Sequence, residues 1–216
     1  MIYILGAGGF GRETLNIYID LGREHEVKGF LEENCQRIGE IMNSKPVNDI
    51  SVLKHENKNE TRLIGAIGNP IRRRLIENLE NDGWKFDTAI HPSVIKSRWV
   101  KIDEGCIICA GNILTNQISI GKHTIVNLSC TIGHDAIIGN YCTLSPGVHV
   151  SGRVTIGDGC YIGTGAVILP KVSIGSGSCI GAGAVVNKDI PENTLAVGVP
   201  AKPIKQLKPD DWIGLV

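Results

Sequence analysis

Within "TIGHDAIIGNYC", residues 131–142, a histidine and an aspartate stand side by side as His134 and Asp135. Imidazole titrates near neutrality, so a placed histidine can take a proton from an amine or hydroxyl as that group attacks an acyl carbon. An adjacent carboxylate can select the tautomer and stabilise the imidazolium, the role that falls to Asp135. The same histidine could equally be ordinary surface filling. Other residues with chemical potential are the acidic pair Glu32 and Glu33, the glycines Gly6, Gly8 and Gly11, and the pair Cys106 and Cys109.

The element that must carry His134 is a repeat. From Ile102 to Val186, fifteen consecutive steps of six land on Ile, Leu or Val. The next residue is mostly Gly, as at Gly121, Gly133, Gly139, Gly157, Gly163, Gly175 and Gly181. Such residues accept corner conformations or close backbone approach. Two places before each aliphatic a small residue recurs, among them Cys106, Thr124, Cys130, Cys142, Cys160 and Ala166. No helix or ordinary sheet has period six, but a solenoid that turns every six residues does. His134 follows an inward Ile132 by two places, so it is expected to project outward. His123 and His149 share outward phases and read as surface residues, whereas His91, before Pro92, reads as structural. Four cysteines take the small inward phase, where a free thiol behaves as a compact hydrophobe. Cys106 and Cys109 lack a second ligand pair, so neither metal nor redox chemistry is expected of them.

The first segment is different. "MIYILGAGGFGRETLNIYIDLG" reads as strand, Gly-rich turn and amphipathic helix, with Gly6, Gly8 and Gly11 in G-x-G-x-x-G spacing. That turn would bring phosphate or sugar close to backbone N–H groups at a helix N-terminus. A ligand-free tight turn has the same spacing. The strand "EVKGFLEE" puts Glu32 and Glu33 where an acid commonly meets ribose or base. A further strand over 62–68 precedes a helix at 70–82. Only half of a doubly wound dinucleotide fold fits before the repeat, which argues against a nicotinamide oxidoreductase and for the nucleotide portion of a substrate.

The chain has 22 basic and 22 acidic residues in 216, so it carries no electrostatic footprint for nucleic acid or an anionic membrane. No apolar run nears the roughly 20 residues that span a bilayer. Seven cysteines, an odd number, fit a reducing compartment better than a disulfide framework. A cytoplasmic location is expected.

Together "GAGGFGRE", "GFLEE", "IGNPIRRRL", "IHPS", "NLSCTIGHD", "SPGVHVSG", "IGTGAVILP" and "VGVPAKPI" resemble the hexapeptide-repeat sugar acetyltransferases. The resemblance is to the subfamily that N-acetylates nucleotide-linked 4-amino sugars, with its sialic-acid O-acetyltransferase relatives. It implies an α/β half-Rossmann-like domain over 1–90 and a left-handed parallel β-helix over 91–216 with a C-terminal extension. It also implies three faces per coil, about five coils, a homotrimer with sites between neighbours, and a product used in surface glycan biosynthesis.

Carried over residue by residue, Gly8, Gly9 and Phe10 would line the nucleotide, and Glu32 and Glu33 would contact base or ribose. The family usually has Asp in that pair. Asn127 would contact the sugar. His134 would be the base, Asp135 its partner, and the Gly152 amide the oxyanion donor. Acetyl-CoA would run past Gly163, Gly165 and Ala166, with Lys202 or Lys205 near its phosphates, although those lysines could also belong to a solvated tail. A second histidine found in some members is Thr143 here. No metal is implied, and direct attack needs no acyl-enzyme. Acetylation of a sialic-acid hydroxyl, or a non-catalytic assembly role for the solenoid, remain the alternative readings.

Overall fold

The computed structural model describes residues 1–33 and 35–208. Its first part is a sheet of β1 (Ile2–Leu5), β2 (Val27–Glu32), β3 (Ile41–Met42), β4 (Lys45–Asp49), β5 (Arg62–Gly65) and β6 (Lys85–Phe86). The spatial order is β3-β4-β2-β1-β5-β6, parallel throughout except for β3. Helices α1 (Gly9–Asp20) and α2 (Arg72–Asn81) flank it. Ile2, Ile4, Phe30 and Ile64 of the strands are wholly buried against Leu15, Ile17 and Tyr18 of α1. At the first turn Gly6 has φ +101°, and a Cβ on Gly11 would run into the Gly6 carbonyl. The two glycines are therefore fixed by backbone geometry before any ligand is considered.

From β7 (Ala89–Ile90) the chain winds into the left-handed parallel β-helix, whose two-residue strands stack on three faces. The first face runs from β7 up to Thr194–Val197, the second from Ile95–Lys96 to Val185–Val186, and the third from Lys101–Ile102 to Ser173–Ile174. Residues eighteen apart are direct partners, as in Ile107 with Ile125 and Ile132 with Val150. The six-step aliphatics and the small residues beside them fill the interior. Ile108, Val126, Leu144, Ile162 and Ile180, with Cys106, Cys142 and Cys160, are all 0 % exposed. Each buried aliphatic is worth about 1.5–3 kcal/mol.

The corners divide their labour between two positions. The residues with left-handed backbone fall every sixth place from Gly105 to Gly183, and half of them are not glycine: Gln117, His123, Ser129, Asp135, Tyr141, Arg153 and Lys171. The glycines directly after the aliphatics serve close approach instead. A Cβ on Gly133 would stand 2.6 Å from the Gly152 nitrogen, and one on Gly163 2.5 Å from that of Ala182.

The α/β part packs on the first face of the solenoid. Ala89, Ile107, Cys109 and Ile125 share a buried cluster with α1. Farther up, α2 covers His123, which is 1 % exposed and not the surface residue its outward phase suggests. It stacks on Tyr141 at 5.1 Å and meets Phe86 edge-on at 4.7 Å, with Nε2 3.1 Å from Glu80 Oε1. Phase predicts which side a residue faces, not what lands on that side. Burial, only partly offset by Glu80, lowers the His123 pKa. Among the described residues no helix is long and apolar enough to cross a membrane.

Candidate active site

His134 leaves the second face after Thr131–Ile132 and stands at the corner before Ile137–Ile138 of the third face. Its ring projects outward, with the side chain 61 % exposed. Asp135 takes the left-handed position with φ +60°, a conformation that aspartate tolerates better than most residues. That backbone turn brings its carboxylate back on its neighbour, with Oδ2 2.8 Å from His134 Nδ1. A carboxylate there favours the tautomer with hydrogen on Nδ1, leaving the Nε2 lone pair to accept a proton. Arg153, one coil on, brings Nε to 3.9 Å from the same Asp135 oxygen.

Gly152 occupies the same corner one coil above and forms the floor under the imidazole. A Cβ there would stand 2.6 Å from Nε2, 2.8 Å from Cε1 and 3.0 Å from Cδ2 of His134. Only glycine allows the ring to lie flat against the backbone at this point. The His134 carbonyl accepts from Arg153 N at 2.8 Å and the Gly152 carbonyl accepts from Lys171 N at 3.1 Å, so both corners are held by the inter-coil ladder.

A cleft of about 300 Å³ opens at a different corner, where the α/β part meets the solenoid. Phe10 and Glu13 of α1, Gly68 and Asn69 after β5, and Asn127, Thr143, Ser145 and Tyr161 of the solenoid surround it. Asn127 lies between the first and second faces, and its Oδ1 accepts from Leu128 N at 2.7 Å. Gly8 and Gly9 are exposed at the uncapped N-terminus of α1, beside Phe10. Glu32 braces the Gly-rich turn: its Oε1 accepts from Ala7 N at 2.6 Å, while Arg37 donates to the Ala7 carbonyl at 3.0 Å. Glu33 is exposed and faces a second opening of about 620 Å³ that includes Asp49, Lys54 and Trp84.

Gly163 and Gly165 continue the corner of Asn127 upward. Lys202 joins that edge through its pairing with Val197, which packs over Gly181. Lys205 lies farther along the same exposed terminal strand, Lys202–Gln206. Ala166 does not line this edge. Its side chain is 0 % exposed in the solenoid core, its N–H donates to Gly163 and its carbonyl accepts from His149. The inward small phase that Ala166 obeys removes it from any groove.

The chain thus gathers its candidate residues at two corners. His134, Asp135 and Gly152 sit between the second and third faces, whereas Asn127, Gly163, Gly165 and Lys202 sit between the first and second. One protomer does not bring the two groups together. His149 lies on the second face between those corners, with Nδ1 2.8 Å from Thr131 Oγ1. Thr143 is 3 % exposed and bonded to Arg72 and Gly68, an arrangement that the repeat pattern does not signal because it depends on α2. Cys106 and Cys109 are both buried, and burial raises each thiol pKa to about 12. No cluster of metal-ligating side chains occurs among the described residues.

Comparison with known proteins follows the same division. Residues 1–79 match the PglD N-terminal domain, and residues 153–188 match the bacterial transferase hexapeptide model of six repeats. The chain is 31 % identical over 157 residues to a GDP-perosamine N-acetyltransferase of Escherichia coli, covering 70 % of each sequence. The acetyltransferase domain of PglB from Neisseria gonorrhoeae superposes with a TM-score of 0.88 at 32 % identity, over 94 % of this chain and 98 % of that one. PerB from Caulobacter crescentus, solved in complex with CoA and GDP-perosamine, gives 0.86 at 30 % identity over 94 % and 97 %. The chain is an acyltransferase, and it belongs to the family of sugar acetyltransferases that join a PglD N-terminal domain to a left-handed hexapeptide-repeat helix.

Proposed function

We propose that the chain transfers an acetyl group from acetyl-CoA to the 4-amino group of a nucleotide-linked amino-deoxy sugar, with His134 as general base. One observation carries the assignment. Asp135 engages His134 Nδ1 at 2.8 Å while Gly152 leaves room for the other edge of the ring, so Nε2 is oriented and accessible. His134 takes the proton as the amine attacks, Asp135 stabilises the resulting imidazolium, and the Gly152 N–H faces the carbonyl oxygen as it gains charge. Direct attack is the simplest course: Cys106, Cys109, Cys130 and Cys179 are buried with raised pKa values, which disfavours a thiolate nucleophile.

In this reading residues 1–90 hold the nucleotide and residues 91–216 carry acetyl transfer. Gly8, Gly9 and Phe10 receive the diphosphate end at the α1 N-terminus. Glu33 reaches base or ribose, Glu32 keeps the turn in shape, and Asn127 meets the sugar. Gly163 and Gly165 give acetyl-CoA a flat edge, with Lys202 and Lys205 toward its phosphates. Because the base and the cleft stand at different corners of one protomer, a working site takes His134 from one copy and the cleft from its neighbour. A cyclic homotrimer supplies that arrangement. A cytoplasmic enzyme of surface glycan biosynthesis fits such a substrate. GDP-perosamine, the ligand in PerB, heads the candidates.

The test is a panel of GDP-, UDP- and dTDP-linked 4-amino sugars with acetyl-CoA, read by thermal shift and by the position of acetylation in the product. A bound nucleotide sugar raises the melting temperature by mass action, and the product carries an amide. No shift and no turnover with any of them, or acetylation of a hydroxyl on free sialic acid instead, would sink the proposal.

A further inference from the structure

Arg72, the first residue of α2, is 2 % exposed and has no carboxylate partner among the described residues. Its guanidinium is shared among four neutral acceptors. Nη1 donates to Thr143 Oγ1 at 2.8 Å and to the Gly68 carbonyl at 3.2 Å. Nη2 donates to the carbonyls of Cys142 at 2.7 Å and His123 at 2.9 Å. Thr143 closes the ring by donating its hydroxyl to the Gly68 carbonyl at 2.7 Å. Nε has no acceptor.

A buried cation that nothing neutralises is expensive, and an apolar side chain of similar volume would pack there at lower cost. What the arginine adds is geometry. Its planar fork fixes three segments at once: the loop after β5, the corner at His123, and the strand Thr143–Leu144. Gly68, Asn69 and Thr143 are also walls of the 300 Å³ cleft, facing Phe10, Asn127 and Tyr161.

We infer that Arg72 is a positioning residue for that cleft, and that Thr143 is its partner in clamping the Gly68–Asn69 wall against the solenoid before any ligand arrives. The inference rests on the reading that the cleft takes the nucleotide sugar. It also gives position 143 a task that a histidine could not perform in the same way, because the residue there must accept from a cation and donate to a carbonyl within one buried contact.

Steady-state kinetics of Arg72→Lys, Thr143→Val and Thr143→Ser test the clamp. Lysine keeps the charge but loses the fork, and serine keeps the hydroxyl that valine removes. Arg72→Lys and Thr143→Val should each raise KM for the nucleotide sugar roughly tenfold, equivalent to about 1.4 kcal/mol. Their kcat should change little and KM for acetyl-CoA should stay constant, while Thr143→Ser stays near wild type. The double variant should fall short of the product of the single effects, since both act on Gly68. A kcat loss with KM unchanged, or equal rises in both KM values, overturns the inference. Amide exchange at Gly68, Asn69 and Ile71 without ligand gives an independent reading. It should quicken in Arg72→Lys, or in Thr143→Val should the arginine variant fail to fold. Unchanged exchange refutes the clamp. Faster exchange, in a wild-type protein that takes no nucleotide sugar, upholds the clamp and rejects the cleft's assigned ligand.

Discussion

Gly152→Ala should disable the site while leaving the fold intact. Gly152 has no left-handed backbone torsion, so alanine meets no conformational penalty and the stability change should stay within about 1 kcal/mol. The new methyl would lie 2.6 Å from His134 Nε2, whereas carbon contacts settle at about 3.5 Å. The ring must therefore retreat by roughly 0.9 Å, the difference of those two distances. With 61 % of its side chain exposed, His134 can swing into solvent at little cost to folding. In doing so it gives up the Asp135 contact and its place above the Gly152 amide. Misplacing a general base by about an ångström costs roughly a hundred- to a thousandfold in turnover, or about 3–4 kcal/mol of activation free energy. The assay is CoA release under saturating substrates, beside a thermal melt of the same sample. Gly133→Ala is the contrast, because its Cβ would strike the backbone of Ser151 and Gly152, which cannot move aside. That variant should lose stability first. If Gly152→Ala kept full turnover, or if it unfolded as Gly133→Ala does, the reasoning about the floor of the site would be wrong.

Two other outcomes follow from the geometry. Burial lowers the folded-state pKa of His123 below the roughly 6.5 of an unfolded imidazole, so the unfolded chain binds the extra proton first. This contribution is present above the unfolded value and is lost as pH falls toward the folded one, with a slope of at most about 1.4 kcal/mol per pH unit. Melting curves from pH 8 to 5 should show the loss, and His123→Gln should flatten it; an equally steep fall in the variant would assign the effect to other groups. The separation of the two corners predicts complementation between copies. Mixing inactive His134→Ala protomers with inactive Phe10→Ala protomers, and allowing exchange, should restore about a quarter of wild-type activity if a cyclic trimer shares its sites. No recovery after verified exchange would mean that each chain holds a complete site.

The solenoid was legible because its period is a direct consequence of its cross-section. A six-residue face with one inward aliphatic leaves an unbroken trace, and the small inward residues from Cys106 to Ala184 follow from the same constraint. The strand, Gly-rich turn and helix at the start were legible for a similar reason, since Gly6 and Gly11 are demanded by backbone contact. Corner conformation was harder to read. Gln117, Tyr141 and Lys171 adopt left-handed torsions without a glycine to announce them, and the visible glycines serve close approach instead. The hairpin β3–β4 escaped notice because its turn, Asn43–Ser44, has positive φ at both residues but lacks the usual glycine. His123 and Thr143 were beyond the repeat's reach, since their surroundings come from α2, some fifty to seventy residues away in sequence. Ala166 was a matter of two readings in conflict, and its inward phase was the one to follow.

The most direct measurement is the turnover of a GDP-linked 4-amino sugar with acetyl-CoA by wild type and His134→Ala, each shown to melt at the same temperature. A loss of roughly a hundred- to ten-thousandfold in kcat is the predicted result, as expected for removal of a general base. Equal turnover in the two proteins would contradict it, and His134 would then be only the surface residue that its repeat allows.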